Sequence, residues 1–208
     1  MRITVVGATG MVGSRVVREA LDRGHDVTAI FRSRRPAALP PEVIAARGDA
    51  ADADLMKSLF TDADTVVGAT RPAPGAESTV TATTLALLDA AAATGIRILL
   101  VGGSAPLRSP SGGLVLDDPR YVPSAVRDIA AASAAQLDVC RTHPADWVYL
   151  SPPALLEPGV RTGGYRRGGA TLVVAPDGSS RISAEDLAVA VVDEVERPGG
   201  GRHFTVGY

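Results

Sequence analysis

The chain has 208 residues, enough for one well-buried core without requiring a second domain, and its 46% hydrophobic and 21% charged content matches an ordinary folded protein. A formal charge of −2 with only 4% aromatic residues supplies neither the basic footprint nor the stacking rings of a nucleic-acid binder, and no apolar run approaches a membrane span. The single cysteine, Cys140, excludes an internal disulfide and a cysteine-based zinc cluster; with no leader-like segment ahead of the first strand, the chain reads as cytoplasmic.

Val- and Ile-rich runs alternate with helical patterns, the signature of βαβ units, and predict a single Rossmann-type α/β domain over 1–208: a doubly wound, mostly parallel sheet with helices on both faces. Strands are expected at 3–6, 27–31, 43–46, 65–69, 97–102 and 147–151. A helix from Met11 to Asp22 places Val12, Val16, Val17, Ala20 and Leu21 on one face, with Gly24 as its C-terminal stop. A short helix follows Asp52, and longer ones span 78–94 and 124–141, the last carrying Cys140 as a small apolar filler. The Gly-, Pro- and Arg-rich stretch 152–169 lacks periodicity and reads as a surface loop or lid, so that 152–208 contributes the substrate-side lid and the C-terminal elements. Beyond it, TLVV (171–174) suggests a short strand, Ala184–Glu196 a helix opened by a capping pair of Ser183 and Asp186, and RHFTV (202–206) a last strand.

The stretch VVGATGMVG, 5–13, carries glycines at 7, 10 and 13 between a strand and a helix. Gly7 would permit a sharp turn, Gly10 a close approach of backbone to a pyrophosphate, and Gly13 tight helix packing, while the helix amides point at the phosphates. That context reads as dinucleotide binding. At the end of the second strand, where an acid would hold the ribose hydroxyls of NAD, the chain has Phe31-Arg32-Ser33-Arg34-Arg35. Arginine grips a 2′-phosphate through a charge-assisted fork, so NADP(H) is favoured with Arg32 as the contact and Ser33 as a helper, Arg34 and Arg35 being a surface cluster. Asp49 and Ala50, after the third strand, are placed to meet adenine edges or simply to lead into a helix. Ala69, Thr70 and Arg71, after the fourth, are placed beside the ribose and pyrophosphate.

Together these residues resemble the atypical short-chain dehydrogenase/reductases, in the NAD(P)H-binding, NmrA-like branch that includes the biliverdin-reductase-B-like flavin reductases. The resemblance covers the whole chain and is carried by VVGATGMVGSRVVREALDRGHDVTAIFRS, RGDAADADLMKSLFTDADTVVGAT, RILLVGGSAPL, LSPPALLEPGVRTGGYR and SSRISAEDLAVAVVDEVE. It implies a Rossmann fold with NADP(H) at the strand ends, Gly7, Thr9, Gly10, Met11 and Val12 around the phosphates, Arg32 at the 2′-phosphate, and Asp49 and Ala50 near adenine.

The superfamily's Tyr-x-x-x-Lys pair has no counterpart. Lys57 is the sole lysine and precedes the fourth strand, while Tyr121 is followed four positions later by Ala125 and then by Arg127, whose pKa is too high for proton shuttling. Either Tyr121 acts alone or no tyrosine acid is used. The chemistry consistent with this gap is hydride transfer from NADPH to a small planar acceptor, a flavin or quinone, whose reduced anion solvent can protonate. Ser104 stands where the superfamily often orients substrate, or caps a loop; Pro152 and Pro153 would shape the nicotinamide pocket, and 155–167 could close over it. Arg161, Tyr165, Arg166 and Arg167 read as an acidic-substrate site or a solvated basic loop. His25, His143 and His203 are unclustered, so no metal site is expected. The alternative function is a non-catalytic NADP(H) sensor with a protein partner; an epimerase holding NAD ranks last because it needs the same tyrosine.

Overall fold

The computed structural model describes residues 1–33 and 39–208, so Arg34 and Arg35 lie outside the described residues. In chain order come β1 (Arg2–Val6), α1 (Met11–Asp22), β2 (Asp26–Phe31), β3 (Ile44–Arg47), α2 (Ala53–Phe60), β4 (Thr65–Gly68), α3 (Val80–Thr94), β5 (Ile98–Val101), α4 (Arg127–Thr142), β6 (Trp147–Ser151), β7 (Leu155–Glu157), β8 (Arg166–Gly168), β9 (Arg181–Ser183), α5 (Ala184–Glu196) and β10 (His203–Gly207). Short 3-10 turns at Glu77–Thr79 and Ser124–Val126 lead into α3 and α4, which therefore begin later than periodicity suggests.

The main sheet runs β3-β2-β1-β4-β5-β6-β10-β8, parallel throughout except that β8 pairs antiparallel with β10. Because successive side chains of a strand point to opposite faces, Val5 and Val6 serve different layers. On one face Val5, Leu99, Leu150 and Phe204 pack against Val16 and Val17 of α1 and Leu187 and Val191 of α5. On the other, Val66, Ile98, Leu100 and Tyr149 meet Met56 and Phe60 of α2, Leu87 and Leu88 of α3 and Leu137 and Cys140 of α4. The doubly wound α/β architecture is thus as expected. Among the described residues no helix is long and apolar enough to cross a membrane.

Two expectations for the C-terminal third are corrected. TLVV does not form a strand of the sheet: Thr171 makes a single bridge to Arg108, and buried Leu172 plugs a small separate core with Leu107, Val115 and Val122. The stretch 152–169 is not all loop, since it contributes β7, paired with β9, and β8, the sheet's edge. An edge strand needs only backbone pairing and tolerates exposed arginines, so its composition hides it.

Candidate functional site

The chain runs from β1 outward to β2 and β3, then returns to β4 on β1's other side, so a crevice opens beyond the carboxyl ends of β1 and β4. Gly7 turns there with φ +81°, and a β-carbon on it would lie 2.5 Å from the Ala69 carbonyl oxygen. A β-carbon on Gly13 would lie 2.2 Å from the Gly7 oxygen, so Gly13 lets α1 press onto the loop itself. The Gly10 amide donates to the Gly7 carbonyl at 3.0 Å and closes the turn. Asp52 caps α2 and Ser183 caps α5 with side-chain oxygens, but no side chain caps α1 and no acid sits in its first turn. Its first amides lack partners within the helix, an arrangement suited to an anion. The residues present therefore fit the pyrophosphate of a dinucleotide.

The crevice continues into a cleft of about 540 Å³. It gathers Gly7, Thr9, Gly10, Met11, Val12, Arg32, Asp49, Ala50, Ala69, Thr70, Arg71, Ser104, Tyr121 and Pro152 from the expected site. Two expected residues are not part of its lining: Gly13 is behind the loop it supports, and Ser33 is exposed. Arg32 is exposed at the rim beyond β2, and the Asp49 carboxylate accepts from the Ala51 amide at 3.1 Å.

The other end of the cleft differs in character. Tyr121 sits in the turn ahead of α4, not on the helix, and its hydroxyl donates to the Gly178 carbonyl at 3.2 Å. Arg127 opens α4 and points away, donating to the Leu116 carbonyl at 2.9 Å and to Asp117 at 3.0 Å. No tyrosine–lysine pair forms. Val122, Val126, Ile129, Ala130, Ser133 and Gln136 complete this end, and none was anticipated from sequence. The apolar residues among them, Val122, Val126 and Ile129, carry no local signal that separates a cleft wall from a core face.

Beneath lies Tyr149 of β6, fully buried. Its hydroxyl is within 2.9 Å of the Ser133 carbonyl and 3.0 Å of Gln136 Oε1, and it accepts from the Gly103 amide at 3.4 Å. Burial pushes this phenol well above its ordinary pKa, so it keeps its proton. Of the polar side chains that 102–136 brings to the cleft, Ser133 donates to the Ala130 carbonyl and Gln136 donates to Thr84 Oγ1, leaving the Ser104 hydroxyl with no partner among the described residues.

The residues 157–167 lie off the cleft lining, and those of 161–167 are tied to the body of the fold. Arg161 makes two bonds to Glu19, at 2.7 and 2.8 Å, and the Thr162 and Gly163 amides donate to buried Asp186 at 2.8 Å. Tyr165 donates to Asp193 at 2.7 Å, Arg166 donates to the Val174 and Tyr208 carbonyls, and Arg167 pairs with buried Glu194 while lying over the Phe204 ring. These ties fasten the segment to α1 and α5. The histidines are dispersed, His25 beside Glu196, His143 beside Asp89 and His203 beside Ser151, and among the described residues no three His, Cys, Asp or Glu converge as metal ligands.

Residues 7–198 match the family described as NAD(P)H-binding. The chain belongs to that family. Membership in the NAD(P)H-binding family agrees with the resemblance to atypical short-chain dehydrogenase/reductases. The uncharacterized protein YwnB of Bacillus subtilis is 34% identical over 203 residues, spanning 95% of this chain and 93% of its own. A solved structure from Bacteroides thetaiotaomicron, described as a candidate epimerase, superposes with TM-score 0.91 at 32% identity, covering 100% of this chain and 96% of that one. Another from Streptococcus pneumoniae, described as a candidate NADH-flavin reductase, gives TM-score 0.88 at 29% identity, with 100% and 99% covered.

Proposed function

We propose that this NAD(P)H-binding protein is a reductase that passes a hydride from NADPH to a small planar acceptor of the flavin or quinone type. The observation that carries this reading is one cleft with two ends: uncapped α1 amides and Arg32 at one, a largely apolar pocket around Ser104 at the other. The amides of 9–12 take the pyrophosphate, with Ala69, Thr70 and Arg71 opposite, and Asp49 and Ala50 border adenine. Arg32 selects a 2′-phosphate because its guanidinium forks onto phosphate oxygens where an acid would repel them.

A reduced nicotinamide, when bound, supplies the hydride. Pro152 gives that end a rigid wall, and Ser104 offers its hydroxyl to an acceptor oxygen. No side chain at the pocket is suited to protonate a ketone: Tyr121 is engaged by Gly178, Tyr149 is buried with a raised pKa, and Lys57 is exposed on α2. An acceptor whose reduced anion draws its proton from water needs no such acid, so orientation supplies most of the rate. An epimerase would need the missing acid. The absence of the pair also suits a second reading, a non-catalytic NADP(H) sensor.

Stopped-flow oxidation of NADPH against a panel of flavins and quinones, with calorimetry of NADPH and NADH, tests the reading. Turnover with a flavin or quinone supports the reductase. Tight NADPH binding without turnover of any acceptor assigns the sensor, and preference for NADH removes the role given to Arg32.

A further inference from the structure

Among the described residues lining the cleft, only Arg32, Asp49 and Arg71 carry charge, and all three follow strands of the β1–β4 half. The half built by 102–136 and the turn after β6 is walled by Val122, Val126, Ile129, Pro153 and Leu156. The cations nearest in sequence are committed elsewhere. Arg120 holds Asp118 through Nε to Oδ1 at 3.1 Å and Nη2 to Oδ2 at 2.8 Å, and Arg127 is held by Leu116 and Asp117. Of the four polar side chains that 102–136 brings there, Tyr121, Ser133 and Gln136 each donate a hydrogen bond within the protein, while Ser104 makes none among the described residues.

We infer that the acceptor is an uncharged, largely apolar planar molecule, and that this pocket discriminates against acceptors bearing a phosphate or carboxylate. An anion brought against this apolar wall loses water and gains no cation from 102–136, so it binds best with its charge turned away from the wall. A single hydroxyl matches one carbonyl oxygen of a quinone or unphosphorylated flavin. This inference rests on the reductase reading above.

The test measures kcat/KM at saturating NADPH for two matched pairs: riboflavin against FMN, which share a ring and differ by one phosphate, and a neutral naphthoquinone against its analogue with a carboxylate on the side chain. The neutral member of each productive pair is expected to be favoured about tenfold. Val126→Arg places a cation on the rim, where residue 126 is 43% exposed, and is expected to narrow that ratio severalfold without changing NADPH affinity. Wild-type protein that uses the anionic member equally well or better overturns the inference, as does a ratio unmoved by Val126→Arg, because charge would then not be the discriminator. NADPH binding without turnover of any acceptor sinks the reductase reading itself, and this inference with it.

Discussion

Replacing Gly102 with alanine tests whether buried Tyr149 supports the acceptor end of the cleft. A β-carbon at 102 would lie 1.7 Å from the Tyr149 oxygen and 2.0 Å from Cζ, whereas non-bonded heavy atoms settle about 3.5–4 Å apart. The ring has no free direction to move in, since it is fully buried and its hydroxyl is bound by Gly103, Ser133 and Gln136. Overpacking of this kind costs about 1–3 kcal/mol and one displaced hydrogen bond about 1 more, offset by up to about 1 from the stiffer unfolded chain. The net is about 1–4 kcal/mol, or a fall of about 3–12 °C in Tm for a chain of this size. Urea unfolding at constant m-value reads it directly. Gly103→Ala is the milder comparison: its β-carbon would meet Ser133 Oγ at 2.6 Å and Cβ at 2.9 Å, so the hydroxyl must turn and α4 give by a few tenths of an ångström, a cost of about 1 kcal/mol. A Gly102→Ala protein within about 0.5 kcal/mol of wild type, or a Gly103→Ala protein less stable than it, would refute the packing argument.

Other outcomes follow from the same geometry. Arg32→Ala should weaken NADPH binding about 10–100-fold by calorimetry and leave NADH nearly unchanged, because only the 2′-phosphate loses a charged partner; equal losses for both would remove the selectivity role. Burial, with Arg141 nearby adding to it, pushes the His203 imidazole down from 6.5 to about 4, so between those values the unfolded chain binds more protons than the folded one. Stability from this half-buried group is therefore complete above pH 6.5 and falls as pH drops toward about 4, by about 1–2 kcal/mol after allowance for solvent screening. His203→Gln should flatten that part of the pH–stability curve, and an unchanged slope would exclude His203 as its source. Arg161→Ala should cost about 1–2 kcal/mol in urea, since Glu19 keeps Arg23 as a partner, and should leave kcat/KM unaltered; a loss of turnover at unchanged stability would restore the lid that these ion pairs argue against.

The α1 boundaries were legible because its apolar stripe, flanking glycines and preceding strand agree, and the Ser183 cap of α5 was legible because its serine and aspartate stand at capping distance. The cradle at 7–13 could be read for the same reason: its parts are adjacent in sequence. At the acceptor end only Ser104, Tyr121, Pro152 and Pro153 were legible; its remaining walls were not, because 102–104, 121–136 and 152–156 meet only once the sheet is folded. Val122 and Ile129 look like core residues from their apolarity alone, and nothing local says that one wall of a helix faces a cleft. The arginines of 161–167 misled in the opposite sense. Their charge suggested solvent or substrate, while the carboxylates that hold Arg161 and Arg167, Glu19 of α1 and Glu194 of α5, are buried and invisible as pairs in a linear reading.

The brace between α1 and α5 bears on how the molecule is made. Arg15 joins Glu185 and Arg23 joins Asp193, each across 170 positions of chain. During synthesis the nucleotide cradle leaves the ribosome long before α5, and until that helix arrives α1 lacks the partner it packs against. A nascent chain stalled before α5 should therefore expose the apolar side of α1 to chaperones, so the cradle depends on a helix made long after it.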